Sequence, residues 1–194
     1  MLPDLPVMPD AVLDPLPYEA LLERRDPATI DLVVIHCTET PDLASARDFG
    51  ERVLYPSGTG NSGHVYIDRD GSVHVYVRPQ FVAHHVRGHN GNSVGIELVN
   101  TGRYPNWLDS RHQAMDEPYT DAQIEALIEV LAHLQATLPG LTRIAGHEDL
   151  DTDTTPASDD PRVEVRRKRD PGPGFPWPRV LEATGLERPP PPGQ

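Results

Sequence analysis

Three side chains of this 194-residue chain, His36, His147 and Asp170, have the donor types of a hydrolytic metal site. Two imidazoles and one carboxylate hold zinc with a fourth position left for water. The same set suits several other divalent metals. Each residue stands at the end of an apolar run or beside a turn-forming cluster: His36 closes Asp31–His36, His147 closes Leu141–His147, and Asp170 opens Asp-Pro-Gly-Pro-Gly-Phe175. They are 111 and 23 residues apart, so only a folded domain assembles them. Glu97 interrupts the apolar run Val94–Val99, where a carboxylate without a partner is costly to bury. The alternative is alternation onto a solvated face shared with Gly95 and Val99. Lys168 precedes Asp170 by two residues, the spacing at which side chains of an extended segment share a face. It also belongs to a basic cluster with Arg166, Arg167 and Arg169 that reads equally as surface charge.

Five segments carry these residues in order: Val33-Val-Ile-His-Cys-Thr-Glu-Thr40, Ser62-Gly-His-Val-Tyr-Ile-Asp-Arg-Asp-Gly71, Asn92-Ser-Val-Gly-Ile-Glu-Leu98, Ala145-Gly-His-Glu148 and Lys168-Arg-Asp-Pro-Gly172. From about Asp31 to Trp177 the chain thereby resembles the type-2 N-acetylmuramoyl-L-alanine amidases, zinc enzymes that share the peptidoglycan-recognition fold. The resemblance implies a single α/β domain with a central mixed β-sheet flanked by α-helices. It implies Zn2+ on His36, His147 and Asp170, Glu97 as catalytic acid/base, and Lys168 as a cation for the oxyanion. The reaction implied is hydrolysis of the amide between N-acetylmuramoyl and L-alanine, in peptidoglycan or soluble muropeptides, during bacterial wall recycling or degradation. The segment His84–Ser93 matches a loop beside the metal, which makes His85 the first choice for a muramyl-peptide contact, with Arg87 and Asn90 beside it. His64 and His84 are expected to be structural or to support the residues that line the site. The loop Thr101–Tyr119 is longer than in the compact cytosolic recycling enzymes, and its Trp107 is suited either to stack on a sugar or to pack the loop down. The competing expectation is a peptidoglycan-recognition module that binds without cutting. Such relatives lack a complete ligand set, whereas this chain has all three ligands and Glu97.

Other motifs fail on context. Gly91-Asn-Ser-Val-Gly95 has the form G-x-S-x-G, but that elbow needs a helix after the serine and a strand follows here, so Ser93 is not expected to be a nucleophile. His147-Glu148 begins like a zincin helix, yet position 151 is Asp. Asp149, Asp151 and Asp153 begin like a calcium loop that then lacks its glycine and final glutamate, at Thr154 and Asp160, leaving a solvated acidic turn. Cys37, the one cysteine, excludes an intramolecular disulfide framework. Strand alternation should turn it away from His36.

A net charge of −13 argues against nucleic acid and against simple adhesion to anionic membranes. The start Met1–Asp10 has neither a basic stretch nor an uninterrupted apolar one, so a cytoplasmic protein is expected.

The elements that must position the site follow from periodicity. Residues 1–30 form a proline-broken arm with a helical candidate at Tyr18–Arg25, residues 31–185 the zinc amidase domain, and 186–194 a proline-rich tail. Phe49 and Val53 suggest a helix over Leu43–Leu54. Asp70-Gly71 marks a two-residue turn between the strands His64–Asp68 and Ser72–Val77. A helix over Asp121–Leu138 opens with the capping pair Thr120 and Gln123 and stops at Pro139-Gly140. Strands are expected at Val94–Val99 and Leu141–Ala145, and a short helix at Pro178–Thr184.

Overall fold

The computed structural model describes residues 4–190, so the last four residues of the expected proline tail lie outside the described residues, as do the first three of the N-terminus. Six strands, β1 (Val12–Leu13), β2 (Leu32–Cys37), β3 (Val65–Ile67), β4 (Val73–Val75), β5 (Ser93–Leu98) and β6 (Arg143–Gly146), build one sheet in the order β1-β4-β3-β5-β2-β6. The β3–β4 pair is antiparallel and the other four pairings are parallel. This is the expected mixed sheet in a single α/β domain.

The two faces of the sheet do different work. On one, Val33, Ile35, Ile67, Val94 and Ile96 pack against the apolar stripe of α2 (Asp121–Thr137) and against α4 (Trp177–Thr184). On the other, Leu32 and Val34 meet Val86 and Ala145, and Tyr66 packs with residues of the N-terminal arm and Ala46 of α1 (Leu43–Gly50). Period-two alternation along β2 therefore carries His36 onto the second face, with Leu32 and Val34, and turns Cys37 away. The capping box forms as the sequence indicates: Thr120 accepts from Gln123 N–H and Gln123 accepts from Thr120 N–H.

Several local expectations are corrected. The first helix ends at Gly50 rather than Leu54, because the N–H groups of Leu54 and Tyr55 both donate to Thr59 O and turn the chain outward. Val53 and Leu54 are consequently 60% and 57% exposed. The hairpin loop is longer than two residues: Asp68 pairs with Ser72, Gly71 N–H donates to Asp68 O, and Gly71, at φ 87°, takes the positive angle that Asp70 does not. The helical candidate at Tyr18–Arg25 is only a 3-10 turn, Glu19–Leu21. Arg25 N–H donates to Gln80 O and Glu23 O accepts from Val82 N–H, which pulls the chain into an extended path. The acidic turn is not solvated throughout. Asp149 accepts from Gly146 N–H and pairs with Arg188, and buried Asp151 pairs with Arg167. A small hairpin, β7 (Thr154–Pro156) with β8 (Glu164–Arg166), follows it. Among the described residues, no helix is long and apolar enough to cross a membrane.

Candidate metal centre and active site

Parallel pairing places His36 directly beside Glu97, their Cα atoms in register on adjacent β2 and β5. His147 is the first residue of α3 (His147–Leu150), immediately after the neighbouring β6. Asp170 arrives on the segment after β8, its backbone oxygen accepting from Glu148 N–H. Three sequence-distant donors thus meet at one end of the central strands. His36 Nδ1 and His147 Nδ1 stand 2.9 and 3.1 Å from Asp170 Oδ2. One ligand atom from each residue lies within 4.8 Å of the others, and all three side chains are buried.

This donor set fits a divalent metal. Burial pushes the His36 imidazole down to about 4, overcoming the upward pull of the Asp170 carboxylate beside it, so the ring is neutral at pH 7. Burial also raises the Asp170 carboxyl, but the two imidazoles outweigh it and hold the group well below the usual carboxylate range. A neutral imidazole and an ionised carboxylate are the states in which such side chains bind zinc. Asp170 Oδ1 and His147 Nε2 are buried without a hydrogen-bond partner among the described residues, a condition that a protein interior leaves without cause only at a cost.

The site opens into a cleft of about 590 Å³ whose lining includes Glu97, Lys168, His85, Arg87, Asn90 and Trp107, so every candidate from the sequence reaches the same cavity. Glu97 Oε1 lies 4.0 Å from His36 Nδ1. Burial, then the charges of Asp170 and Glu39, push its carboxyl well above the usual range, with Lys168 opposing. A perturbed carboxyl in a cleft marks a candidate functional group. Lys168 is the only lysine in the chain; every other member of the 17 lysines and arginines is arginine. That composition singles it out from the flanking arginines more sharply than its spacing does.

The other candidates are held by the fold. His85 Nδ1 is 3.0 Å from His36 Nε2 and His85 Nε2 is 3.2 Å from Ser93 Oγ, so both ring nitrogens are engaged. Asn90 Oδ1 accepts from His85 N–H and Val86 N–H and clasps that loop. Arg87 is exposed and faces Asp153 at 3.7 Å. Trp107 Nε1–H donates to Glu39 O, and its ring packs edge-on against Phe49 and Tyr104. His64 is structural: its Nδ1 accepts from Gly95 N–H, and it is fully buried. The thiol of Cys37 is buried and pushed up, which removes it from nucleophilic chemistry.

Sequence reasoning missed four positions that shape the site. Glu39, at φ 48°, forms a two-pronged ion pair with buried Arg103, 2.7 and 2.9 Å. Arg103 also donates to the carbonyls of Arg166 and Arg167, tying the long loop to the segment that bears Lys168. A Cβ on Gly63 would meet Glu97 Cγ at 2.7 Å, and one on Gly95 would meet the His85 ring at 2.6 Å. An isolated glycine in a strand pattern marks such a close approach, so Gly95 at least carried a readable signal.

Comparison with known proteins agrees with this geometry. A family model described as N-acetylmuramoyl-L-alanine amidase matches residues 26–173. The 1,6-anhydro-N-acetylmuramyl-L-alanine amidase AmpD of Haemophilus influenzae is 27% identical over 185 residues, 84% of this chain and 86% of that protein. The endolysin of Escherichia phage T7 is 28% identical over 134 residues, 66% of this chain and 82% of that protein. Among solved structures, the endolysin amidase LysCS of Clostridium intestinale superposes with a TM-score of 0.66 at 19% identity, over 93% of this chain and 99% of that one. With the family model covering most of its length and the fold in agreement, this chain belongs to the N-acetylmuramoyl-L-alanine amidase family.

Proposed function

We propose that residues 31–185, with the N-terminal arm and the start of the tail packed on them, form a zinc-dependent hydrolase of the amide between the lactyl carbonyl of N-acetylmuramic acid and L-alanine, acting on soluble muropeptides. The observation that carries the reading is the convergence of two imidazole Nδ1 atoms on one buried carboxylate, with Glu97 at 4.0 Å and the sole lysine in the same cleft. His36, His147 and Asp170 would hold the zinc, which lowers the pKa of water and polarises a carbonyl. Glu97 takes the proton of the attacking water and delivers it to the departing alanine nitrogen as the C–N bond breaks. Lys168 faces the oxygen that gains charge in the tetrahedral intermediate. Trp107, fixed by Glu39, offers a wall for the sugar, and exposed Arg87 a cation for the stem peptide. Asn90 and His85 shape the floor between them.

The relative aligning over more of this chain is named for a 1,6-anhydro-N-acetylmuramyl substrate, which supports the soluble fragment, and hence cytoplasmic recycling, ahead of wall lysis. The test is release of L-alanine-started peptide from a 1,6-anhydro-muramyl peptide and from purified sacculi, after chelation and again after zinc repletion. Zinc-restored cleavage of the soluble substrate is expected. Cleavage of sacculi alone would move the protein to wall lysis, and full activity after exhaustive chelation would overturn the metal.

A further inference from the structure

Ser93 is fully buried at the start of β5, so it cannot touch a substrate. Its Oγ has two neighbours of unequal chemistry: the backbone oxygen of His89 at 2.7 Å and His85 Nε2 at 3.2 Å. A carbonyl oxygen only accepts, so the serine hydroxyl must donate to His89 O. With its one proton committed, Oγ accepts, and His85 Nε2 must carry a hydrogen. A neutral imidazole, the form that dominates above the ordinary imidazole range of about 6.5, has one N–H. His85 Nδ1 is therefore an acceptor. Its partner at 3.0 Å, His36 Nε2, must then be the donor. His36 is left with a lone pair on Nδ1, the atom turned toward Asp170 and His147. A lone pair aimed at a carboxylate is an arrangement that a shared cation stabilises.

We propose that Ser93 and His85 are positioning residues that lock His36 into the tautomer able to bind metal through Nδ1, with the backbone oxygen of His89 as the fixed end of the chain. The inference rests on the zinc reading above, and it gives a role to the serine of the G-x-S-x-G pattern that excludes nucleophilic attack. His147 has no such support: its Nε2 finds no partner among the described residues. The two imidazoles are thus unequal, one with its outer nitrogen tied to a partner and the other without one among the described residues. Gly95 belongs to the same device, because a side chain there would occupy the space of the His85 ring.

The test compares Ser93→Ala, Ser93→Thr and Ser93→Val. Threonine and valine have nearly the same shape and differ in the hydroxyl, so any cost of the added bulk at this buried position cancels between them. Zinc affinity is measured by competition with a chromophoric chelator, and the ring protons of His36 are located by nitrogen-15 NMR of the metal-free protein at neutral pH. Loss of such outer partners weakens metal binding by about 10- to 100-fold. Ala and Val are expected to show that loss while Thr stays near wild type, and the wild-type His36 proton is expected on Nε2. Equal affinity of Thr and Val, wild-type affinity in Ala, or a proton on His36 Nδ1 in the wild type would each overturn the proposal. Should the wild type take up no zinc, the zinc reading fails, and the NMR result still decides the tautomer.

Discussion

Gly63→Ala reaches the proposed catalytic carboxylate without altering any group that does chemistry. The backbone at Gly63 lies outside the positive-φ region, so alanine is conformationally permitted. Its methyl, however, would stand 2.7 Å from Glu97 Cγ and 3.3 Å from Gly95 O. Normal carbon contacts begin near 3.4 Å, so Glu97 must retreat by about 0.7 Å, since the strand backbone yields less readily than a side chain. Overpacking of this kind costs about 1–3 kcal/mol of stability, and a misplacement approaching 1 Å costs up to about 100-fold in rate. The expected result is a kcat lower by about 10- to 100-fold, or roughly 1.4–2.8 kcal/mol in the barrier, with KM little changed. The assay is steady-state cleavage of a muramyl-L-alanyl peptide, with bound zinc and the thermal midpoint measured on the same preparations. Gly91→Ala is the control, because a Cβ there meets nothing within 4 Å. Wild-type kcat in Gly63→Ala at full zinc occupancy would refute the reasoning, since the position of Glu97 would then not limit the reaction.

Other expectations follow from the same geometry. Glu97→Gln should keep zinc and substrate binding while lowering kcat by about 100- to 10,000-fold, and near-normal turnover would remove Glu97 from the mechanism. Asp170→Ala should release zinc on dialysis, with metal content per chain as the readout; retained stoichiometric zinc would take Asp170 out of the ligand set. Glu117 bears on the long loop: burial raises its carboxyl, but hydrogen bonds from Arg69 and from Thr101 N–H bring it down to about 2. A depressed folded-state value means the pair stabilises above the unfolded carboxyl range, near 4.5, and that this is lost as pH falls toward about 2. The pair is partly exposed, so solvent screening limits it to about 0.5–1 kcal/mol. Glu117→Gln should flatten the fall in thermal midpoint between pH 5 and pH 2.5 to that extent, and parallel curves would show that Arg69 and Glu117 do not anchor the loop.

What the sequence made legible was what local pattern and type encode. The apolar stripe and capping box of α2 stand within one residue of expectation, because both are set by near neighbours. Alternation correctly put His36 and Cys37 on opposite faces of β2. The rest depends on partners far along the chain. Val12–Leu13 becomes an edge strand only because β4 offers it a partner, and both side chains stay exposed, so no hydrophobic pattern marked it. The helix expected to reach Leu54 failed because Phe49 and Val53 mimic an amphipathic step that the turn to Thr59 overrides. Arg103 is invisible as a site residue in a loop full of polar side chains, since its meaning lies in Glu39, 64 residues earlier. Ser93 could be excluded as a nucleophile from context, but its bond to His85 required the loop to fold back over β5.

The most direct test is hydrolysis by the zinc-loaded wild-type protein of a 1,6-anhydro-N-acetylmuramyl-L-alanyl peptide in oxygen-18 water, with both products identified by mass spectrometry. The account predicts a peptide beginning with a free L-alanine amine and one heavy oxygen in the lactyl carboxylate of the sugar fragment. Intact substrate, in the presence of stoichiometric zinc and measurable binding, would contradict it and make the chain a recognition module.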